Sequence, residues 1–323
     1  MKNSAITSLG TLLGSGGMAA CQGNEQLTPI RFGICADIHL DTVYDGKQRL
    51  QTFITAMQSI KPDFILQMGD FCGPKPGNEK LLETWNRFNG PRYHVIGNHD
   101  TDGDYTKQQV VDFWKMPHAY YSFDHKGYHF IVLDGNDPWA SRDPRNKYWS
   151  YVGDEQLSWL ENDLEKSTSP VMVFIHQGLD NDIGGVENAV QVRAAFDRHN
   201  SKTGTKKVQL VFSGHHHQDY YNCINGIHYV QINSMSYKWL GAGYEHVPYS
   251  EAVNKEFTWT KFTAPYKDPL WAEVAIDASG KIKITGKQST FVGETPKELG
   301  RPLYPDGYAE VPYISARELT LVS

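Results

Sequence analysis

This sequence of 323 residues has no C-x-x-C cysteine pair, no long apolar run and no cluster of basic residues. Its four cysteines form no C-x-x-C pair and no zinc-finger spacing, which argues against a dithiol redox motif and a cysteine-ligated zinc site. No stretch is long and apolar enough to cross a membrane, so no transmembrane helix is expected. Because the net charge is -6 and no Lys/Arg run occurs, a long nucleic acid is not expected as a partner.

The composition that remains is that of a folded protein. Hydrophobic residues make up 40% and charged residues 21% of the chain, which supports a sizeable core. The length fits either one large α/β domain or two domains. An acidic chain can still act on a small phosphorylated substrate when bound metal ions supply the local positive charge.

Residues 1–27 differ from the rest of the chain in composition. Lys2 is the only charged side chain before a weakly apolar run, and Cys21 follows two alanines. The pattern resembles a bacterial lipoprotein signal. It predicts a leader and linker, with Cys21 as a lipid anchor and export to the cell envelope, either periplasmic or lipid-anchored. Glycines dilute the apolar run, so an uncleaved, disordered N-terminus of a cytoplasmic protein is the alternative.

Short apolar runs alternate with longer amphipathic ones after residue 28. This rhythm predicts an α/β fold whose parallel strands carry helices on the outer face of the sheet. One domain is expected over residues 28–323, in which residues from about 236 form a C-terminal extension with an aromatic loop and a hairpin. Strands are predicted at 30–35, 63–68, 93–96, 120–123, 128–133, 170–175, 208–212, 228–232, 271–276 and 281–284, and helices at 46–60, 80–88, 154–164 and 186–199.

Candidate metal ligands follow five of these strands, at the point where each strand ends. In open α/β sheets, ligands bind beyond the carboxyl ends of the strands, so these side chains are expected to form one metal centre. The mixture of imidazole, carboxylate and amide oxygen suits Mn, Fe or Zn better than Ca or Mg. The candidates are Asp37, His39, Asp70, Asn98, His176, His215 and His217.

The spacing within two of the motifs brings neighbouring ligands together. Asp37 and His39, like His215 and His217, are two residues apart and share a face if the backbone is extended. His216 would then point elsewhere.

A glycine comes directly before the polar residue in three motifs and permits a sharp turn with close backbone approach. Each motif alone also fits an ordinary surface turn, so the metal-site interpretation depends on all of them occurring in order at strand ends. The glycines are Gly69, Gly97 and Gly214.

The order D-x-H, G-D, G-N-H-D, H, G-H-x-H resembles the signature of the calcineurin-like metallophosphoesterase superfamily, over about residues 30–235. The segments 120–123, 129–134 and 155–160 resemble the same family. The closest group is the one that contains class III cyclic-nucleotide phosphodiesterases and purple-acid-phosphatase-like enzymes. The resemblance implies a four-layer α-β-β-α sandwich with two mixed β-sheets and the metals at one edge.

The resemblance also implies a ligand set and a mechanism. His99 would be catalytic, stabilising charge or protonating the leaving group, and Asp100 would orient it. A hydroxide that bridges two metal ions would attack the phosphorus of a small phosphate monoester or diester. One ion would be held by Asp37, His39 and His217, the other by Asn98, His176 and His215, with Asp70 bridging both.

Two other functions fit parts of the pattern. A catalytically inactive interaction module on the same fold would be expected to lack ligands or His99, and all are present. A metal-dependent hydrolase of carbon–nitrogen bonds also uses His and Asp ligands, but its H-x-H pair comes early in the chain, whereas here it comes last.

Several aromatic and histidine residues lie outside these motifs. Six aromatic residues in segments without clear periodicity fit either a substrate pocket or the packing of long loops: Trp139, Tyr148, Trp149, Tyr237, Trp239 and Tyr244. His94 and His129 lie within predicted strands and are expected to be hydrogen-bonded structural residues.

Overall fold

The computed structural model describes residues 28–141, 143, 147–203, 206–301, 303 and 306–321, so the predicted leader and Cys21 lie outside the described residues. Within the described part of the chain, none of the helices combines the length and apolar character that crossing a bilayer requires.

The strands are β1 (Ile30–Cys35), β2 (Phe64–Gln67), β3 (Arg92–His94), β4 (Tyr121–His125), β5 (Tyr128–Val132), β6 (Val171–Phe174), β7 (Val208–Ser213), β8 (Tyr221–Ile224), β9 (Ile227–Gln231), β10 (Tyr237–Trp239), β11 (Thr263–Pro265), β12 (Ala272–Ile276), β13 (Lys281–Thr285) and β14 (Arg317–Thr320). The helices are α1 (Gly46–Ile60), α2 (Glu79–Trp85), α3 (Lys107–Trp114), α4 (Asp154–Lys166), α5 (Ala189–Thr203) and α6 (Glu251–Glu256), with 3₁₀ turns at Asn98–Thr101 and Thr260–Phe262.

The strands form two six-stranded sheets and a small two-stranded one, β10-β11. Sheet A has the order β14-β13-β12-β1-β2-β3, and sheet B has the order β4-β5-β6-β7-β9-β8. Strands β1, β2 and β3 are parallel, and antiparallel strands extend sheet A beyond β1. Strands β5, β6, β7 and β9 are also parallel, and an antiparallel strand flanks them at each edge of sheet B. The predicted hairpin β12-β13 pairs with β1, so the C-terminal part of the chain completes sheet A.

The two sheets pack face to face through phenylalanine rings. Phe32 in β1 lies edge-on to Phe130, Phe174 and Phe212 in three neighbouring strands of sheet B, with ring centroids 6.0–6.1 Å apart. Edge-to-face contacts at this distance are favourable beyond the area that they bury. This central layer fixes where the strand ends of the two sheets meet.

Helices cover the outer faces of both sheets. Side chains alternate along a strand, so Gly33, next to Phe32, faces outward, and Met57 of α1 fills the space that a side chain at Gly33 would need. On sheet B, Val173 faces outward and joins a cluster with Leu160 of α4 and Phe196 of α5. The predicted mixed α/β fold with two packed sheets is confirmed.

Each predicted strand and helix overlaps an observed element, although the ends differ by a few residues. Elements without a clear hydrophobic period were not predicted. The edge strand β8 is one of them, since none of its four residues is buried. Helix α3 was also missed, although Thr106 and Gln109 form a capping box at its start that the sequence displays. The other unpredicted elements are β10, β11, β14 and α6.

His129 joins three elements, as expected of a structural histidine. Its Nδ1 lies 2.7 Å from the Asp124 carboxylate in β4, and its Nε2 lies 2.8 Å from the Asp163 carboxylate in α4. Burial lowers the pKa of His129, but the two carboxylates outweigh burial and hold the pKa above its ordinary value. His94 is likewise paired, with Gln67 at 3.1 Å.

We expect His129→Gln to destabilise the fold most at low pH. A histidine whose pKa is raised by folding adds stability that is fully present below its unfolded pKa of about 6.5 and is lost as pH rises through the folded pKa. Urea unfolding of the parent and the variant between pH 5.5 and 9 measures the difference. The exposed His118→Gln is the control, and a His129 effect that does not change with pH would contradict the prediction.

Candidate metal centre

Five loops bring the candidate ligands together at one edge of the sandwich. Asp37 and His39 follow β1, Asp70 follows β2, and Asn98 lies in the 3₁₀ turn after β3. His176 follows β6, and the pair His215 and His217 follows β7. The two sheets each contribute, so packing of sheet A on sheet B assembles the site.

One group of ligand atoms consists of Asp37, His39 and His217, which lie within 4.8 Å of one another. The Nε2 atom of His217 is 3.0 Å from Nε2 of His39 and 3.3 Å from Oδ1 of Asp37. All three side chains are buried. The donor atoms thus converge as ligands of a single cation would.

The second group consists of Asp70, His176 and His215, also within 4.8 Å of one another. The Oδ2 atom of Asp70 lies 3.2 Å from Nε2 of His176 and 3.4 Å from Nε2 of His39. A single oxygen of Asp70 therefore faces both groups, which is the position of a bridging ligand.

Some buried polar atoms at the site lack a hydrogen-bond partner, and these atoms indicate whether the residues fit metal ions. In the described part of the chain, Asn98 Oδ1 and His215 Nδ1 are buried and have no hydrogen-bond partner. Buried polar atoms are hydrogen-bonded in nearly all native structures. Each of these atoms carries a lone pair that a cation can use, so the residues fit the metal centre that the sequence predicts.

Main-chain carbonyls fix the tautomer of two of the histidines. Nδ1–H of His176 donates to the Met68 carbonyl at 2.7 Å, and Nδ1–H of His217 donates to the Tyr237 carbonyl at 2.8 Å. A carbonyl can only accept, so Nδ1 holds the proton and Nε2 can present its lone pair to the site. Such outer contacts orient metal-binding histidines in proteins.

The buried negative charge at the site requires a positive partner. Burial lowers the pKa of His176, but Asp70 and Asp37 outweigh burial and raise it to about 10. Burial raises the pKa of Asp70, whereas His176, His99 and His39 together hold it well below its usual range. Burial lowers the pKa of His39 to about 3. Protons and metal ions compete for such sites, because ligands must lose their protons to bind metal.

The backbone is left-handed at five of the candidate ligands. Positive φ is uncommon outside glycine, and such strain clusters at functional sites. Extended backbone was predicted between the two ligands of each D-x-H or H-x-H pair. That prediction is wrong, because sharp turns bring the two ligands of each pair together. His216 turns away as expected and donates Nε2–H to the Ile183 carbonyl at 2.9 Å. The residues are Asp37 (φ 53°), His39 (49°), Asp70 (50°), His215 (74°) and His217 (49°).

Two of the predicted glycines allow the close approach of the loops after β2 and β3. A Cβ at Gly69, where φ is 100°, would lie 2.5 Å from Nδ1 of His176 and 2.7 Å from the main-chain nitrogen of Gly97. A Cβ at Gly97 would overlap the Asp70 carboxylate. Any larger residue would push the Asp70 loop out of position.

Asp100 has a different role from the expected one of orienting His99. Its carboxylate accepts main-chain N–H groups from Asp70 at 2.9 Å, Phe71 at 2.7 Å and Gly97 at 2.7 Å. Burial and the charge of Asp70 raise its pKa to about 8. Asp100 thus clamps the loop that carries Asp70 onto the loop after β3.

Asp102, which sequence reasoning missed, holds His99 instead. Nδ1 of His99 lies 2.7 Å from Oδ2 of Asp102 and 3.0 Å from the Tyr148 hydroxyl. Burial lowers the pKa of His99, but Asp70 and Asp102 outweigh burial and raise it above its ordinary value. The His99 side chain is 40% exposed, and its ring centroid is 5.2 Å from that of His39. His99 and Asp102 are three residues apart, and side chains at that spacing lie on the same side of a 3₁₀ turn. This spacing was the signal in the sequence that could have identified Asp102.

Both metal-ligand groups open into a cleft of about 760 Å³. Two lysines in its wall are already compensated, since Lys75 lies 2.7 Å from the Asp41 carboxylate and Lys147 lies 3.1 Å from that of Asp102. Of the aromatic residues considered from sequence, Tyr148, Tyr237 and Trp239 line this cleft. Lys238 and Arg301, which also line the cleft, both lie against the Glu310 carboxylate, at 3.5 and 2.9 Å. The cationic side chains of the wall are thus engaged by carboxylates, and metal ions would supply the positive charge nearest to the ligand groups.

Residues 30–219 match the family model of the calcineurin-like phosphoesterases, and the chain belongs to this family. The chain is thus a metallophosphoesterase with two candidate metal-binding groups. Family membership also removes the carbon–nitrogen hydrolase as an alternative.

Proteins similar to the chain include two curated relatives and a solved structure. A manganese-dependent ADP-ribose/CDP-alcohol diphosphatase from Arabidopsis thaliana is 25% identical, over 63% of this chain and 85% of the relative. A 3′,5′-cyclic-nucleotide phosphodiesterase from Nostoc sp. is 24% identical, over 77% of this chain and 92% of the relative. A dimetal phosphatase from Danio rerio shares the fold with a TM-score of 0.59 at 13% identity, covering 82% of this chain and 99% of that one.

We expect Asp100→Asn to destabilise the protein even without metal. Asparagine offers one acceptor oxygen where the carboxylate serves three main-chain N–H groups, and each buried N–H left unpaired costs roughly 1–3 kcal/mol. Urea unfolding in EDTA at pH 9, above the pKa of about 8 at which Asp100 becomes a carboxylate, measures the loss. Asp102→Asn is the matched control, with an expected loss of about 1 kcal/mol or less because Asp102 is partly exposed. Equal losses in the two variants would contradict the clamp.

Proposed function

We propose that the chain is a dinuclear-metal-dependent phosphohydrolase that acts on a small nucleotide-like phosphoester. The observation that carries the proposal is the position of one Asp70 oxygen, 3.2 Å from His176 and 3.4 Å from His39, between two groups of ligand atoms. Two-metal sites in phosphatases and nucleases place the ions roughly 3.5–4 Å apart, a spacing that one bridging carboxylate spans.

Each metal position has its own side chains. Asp70 would contact both ions. When bound, the ions supply Lewis-acid activation of a water molecule and neutralise charge on the phosphoryl oxygens. The imidazole-rich set suits Mn, Fe or Zn, and the Arabidopsis relative is named as manganese-dependent. The first position would use Asp37, His39 and His217, and the second Asn98, His176 and His215.

His99 is the proposed general acid. Asp102 accepts the Nδ1 proton of His99, so Nε2 is the ring nitrogen that remains to protonate the leaving oxygen. The main-chain N–H of His99 donates to Oδ1 of Asp70 at 2.8 Å, which ties the acid to the metal centre. Tyr148 closes over the same nitrogen and limits the orientations of the ring.

The proposed bond is a phosphodiester or a phosphoanhydride, with a monoester as the less favoured substrate. The two curated relatives are named for ADP-ribose, CDP-alcohols and 3′,5′-cyclic nucleotides. In each of these compounds the phosphorus carries two substituents. The compensated lysines of the cleft agree with a substrate of low charge rather than a long polyanion.

A catalytically inactive module on the same fold is the alternative. Such a module would be expected to lack a metal ligand or the general acid. The complete ligand set, together with the Asp102 contact that positions His99, favours the enzyme.

We expect manganese-loaded protein to hydrolyse bis-p-nitrophenyl phosphate faster than p-nitrophenyl phosphate. EDTA should abolish turnover of both, and added Mn²⁺ should restore it, because the ions supply the charge that the cleft lacks. Asp70→Ala should lose both metal and activity, since its carboxylate faces both groups. Absence of turnover with either substrate at full metal content would favour the inactive module.

We expect His99→Ala to keep its metals but to lower kcat roughly 10²- to 10⁴-fold, the usual contribution of a general acid. His39→Ala is the comparison, because it should lose metal as well as activity. Metal analysis alongside steady-state kinetics separates the two. Parent-like kcat in the His99 variant would remove His99 from the mechanism.

A further inference from the structure

Two tryptophans stand exposed side by side at the mouth of the metal cleft. Trp239 is 41% exposed and Trp259 is 57% exposed, and both line the cleft. Their ring centroids lie 6.4 Å apart, and each is 5.8 Å from the ring of Phe262. We call Trp239, Trp259 and Phe262 the aromatic rim. Exposed aromatic surface next to a polar site commonly marks a place where a ligand binds.

Strand β10 leads from the metal ligands to the rim. The ring of Tyr237 is 5.1 Å from that of His39 and 4.9 Å from that of His217. Trp239 lies two residues further along β10, on the same face and roughly 6.6 Å beyond Tyr237. Between them, Lys238 turns inward and donates to the His216 carbonyl at 3.0 Å.

Main-chain hydrogen bonds connect the segments that carry the aromatic rim. Strand β10 pairs with β11, which places Trp239 opposite Thr263, directly after Phe262. The main-chain N–H of Leu240 also donates to the Phe262 carbonyl at 2.8 Å. The main-chain N–H of Phe262 in turn donates to the Trp259 carbonyl at 3.0 Å, so the main chain that carries both tryptophans is held together by hydrogen bonds. An ordered main chain lowers the entropic cost of binding.

The chemistry of the rim fits a neutral planar ring. Indole faces stack on nucleobases of any sequence. Lys75 and Lys147 in the same cleft are held by carboxylates, and Lys238 and Arg301 both lie against Glu310. Lys261 lies over the ring of Phe262 at 4.8 Å, so the exposed indoles of Trp239 and Trp259 are the part of the rim that suits a planar ring.

We propose that Trp239 and Trp259 form a base-stacking subsite that selects nucleotide substrates, with the base on the indoles and the scissile phosphate at the metal ligands. The inference deepens the proposed function and rests on it for the placement of the phosphate. Ring binding itself needs neither metal nor turnover, so the two can be tested separately.

Inhibition constants test the subsite in the metal-loaded enzyme, with bis-p-nitrophenyl phosphate as the reporter substrate. Trp239→Ala and Trp259→Ala should each raise the inhibition constant of adenosine 5′-monophosphate roughly 5- to 100-fold. The inhibition constant of inorganic phosphate, which has no ring, should stay within about twofold. Trp239→Phe and Trp259→Phe should keep most of the affinity, because they keep an aromatic face.

Saturation-transfer NMR with adenosine tests ring binding without chemistry. The base protons should receive saturation from the parent protein and much less from the two alanine variants. Trp139→Ala is the matched control, because this partly exposed tryptophan stacks on Tyr151 outside the cleft and should change nothing. If no phosphoester is hydrolysed yet the adenosine signal depends on the rim, the hydrolase proposal fails and the ring subsite stands.

Two results would overturn the subsite. One is unchanged adenosine saturation and unchanged inhibition by adenosine 5′-monophosphate in both alanine variants. The other is loss of sedimentation with phosphatidylcholine vesicles in these variants while adenosine binding stays at the parent level, which would make the rim a membrane contact.

Discussion

The structure depends on the burial of two carboxylates, Asp37 and Asp70, in a pocket of imidazoles. Asp37 and Asp70 are 1% and 2% exposed, and isolated buried charges cost far more than a fold can offset. Histidine protons can balance this charge, but they leave lone pairs of Asn98 and His215 without partners. Cations satisfy the charge and the lone pairs together, which is why the arrangement favours metal over protons.

Strain at the ligands is the cost of bringing them so close. Left-handed backbone at a non-glycine residue costs of order 1–3 kcal/mol and persists only where the surroundings hold it. Two devices hold it here: glycines that let the loops touch, and the Asp100 carboxylate that clamps three main-chain N–H groups. Both act on loops that leave strands of a tightly packed phenylalanine core, so the sandwich supplies the rigidity that the centre needs.

The sequence predicted the elements whose side chains repeat with a clear period, such as β1 and α1, and the ligands that sit in short local motifs. It did not predict β8 or β10, which gain their structure from pairing with another strand rather than from a hydrophobic period of their own: β8 pairs with β9 across a tight turn, and β10 pairs with β11. The exchange of roles between Asp100 and Asp102 has a similar cause. Which carboxylate reaches His99 depends on the 3₁₀ turn and on main-chain donors that no side-chain pattern displays.

Under the proposed function, the metal ligands and the base-stacking rim belong to different parts of the chain. The family match ends at residue 219, whereas Trp239 and Trp259 lie beyond it, on β10 and beside the 3₁₀ turn at 260–262. Ligands at strand ends are constrained by charge, strain and packing at once, so they tolerate little change. A rim that only stacks on a planar ring is constrained by shape alone. Relatives can therefore share the centre while differing in substrate, because function resides in sites added to a common fold.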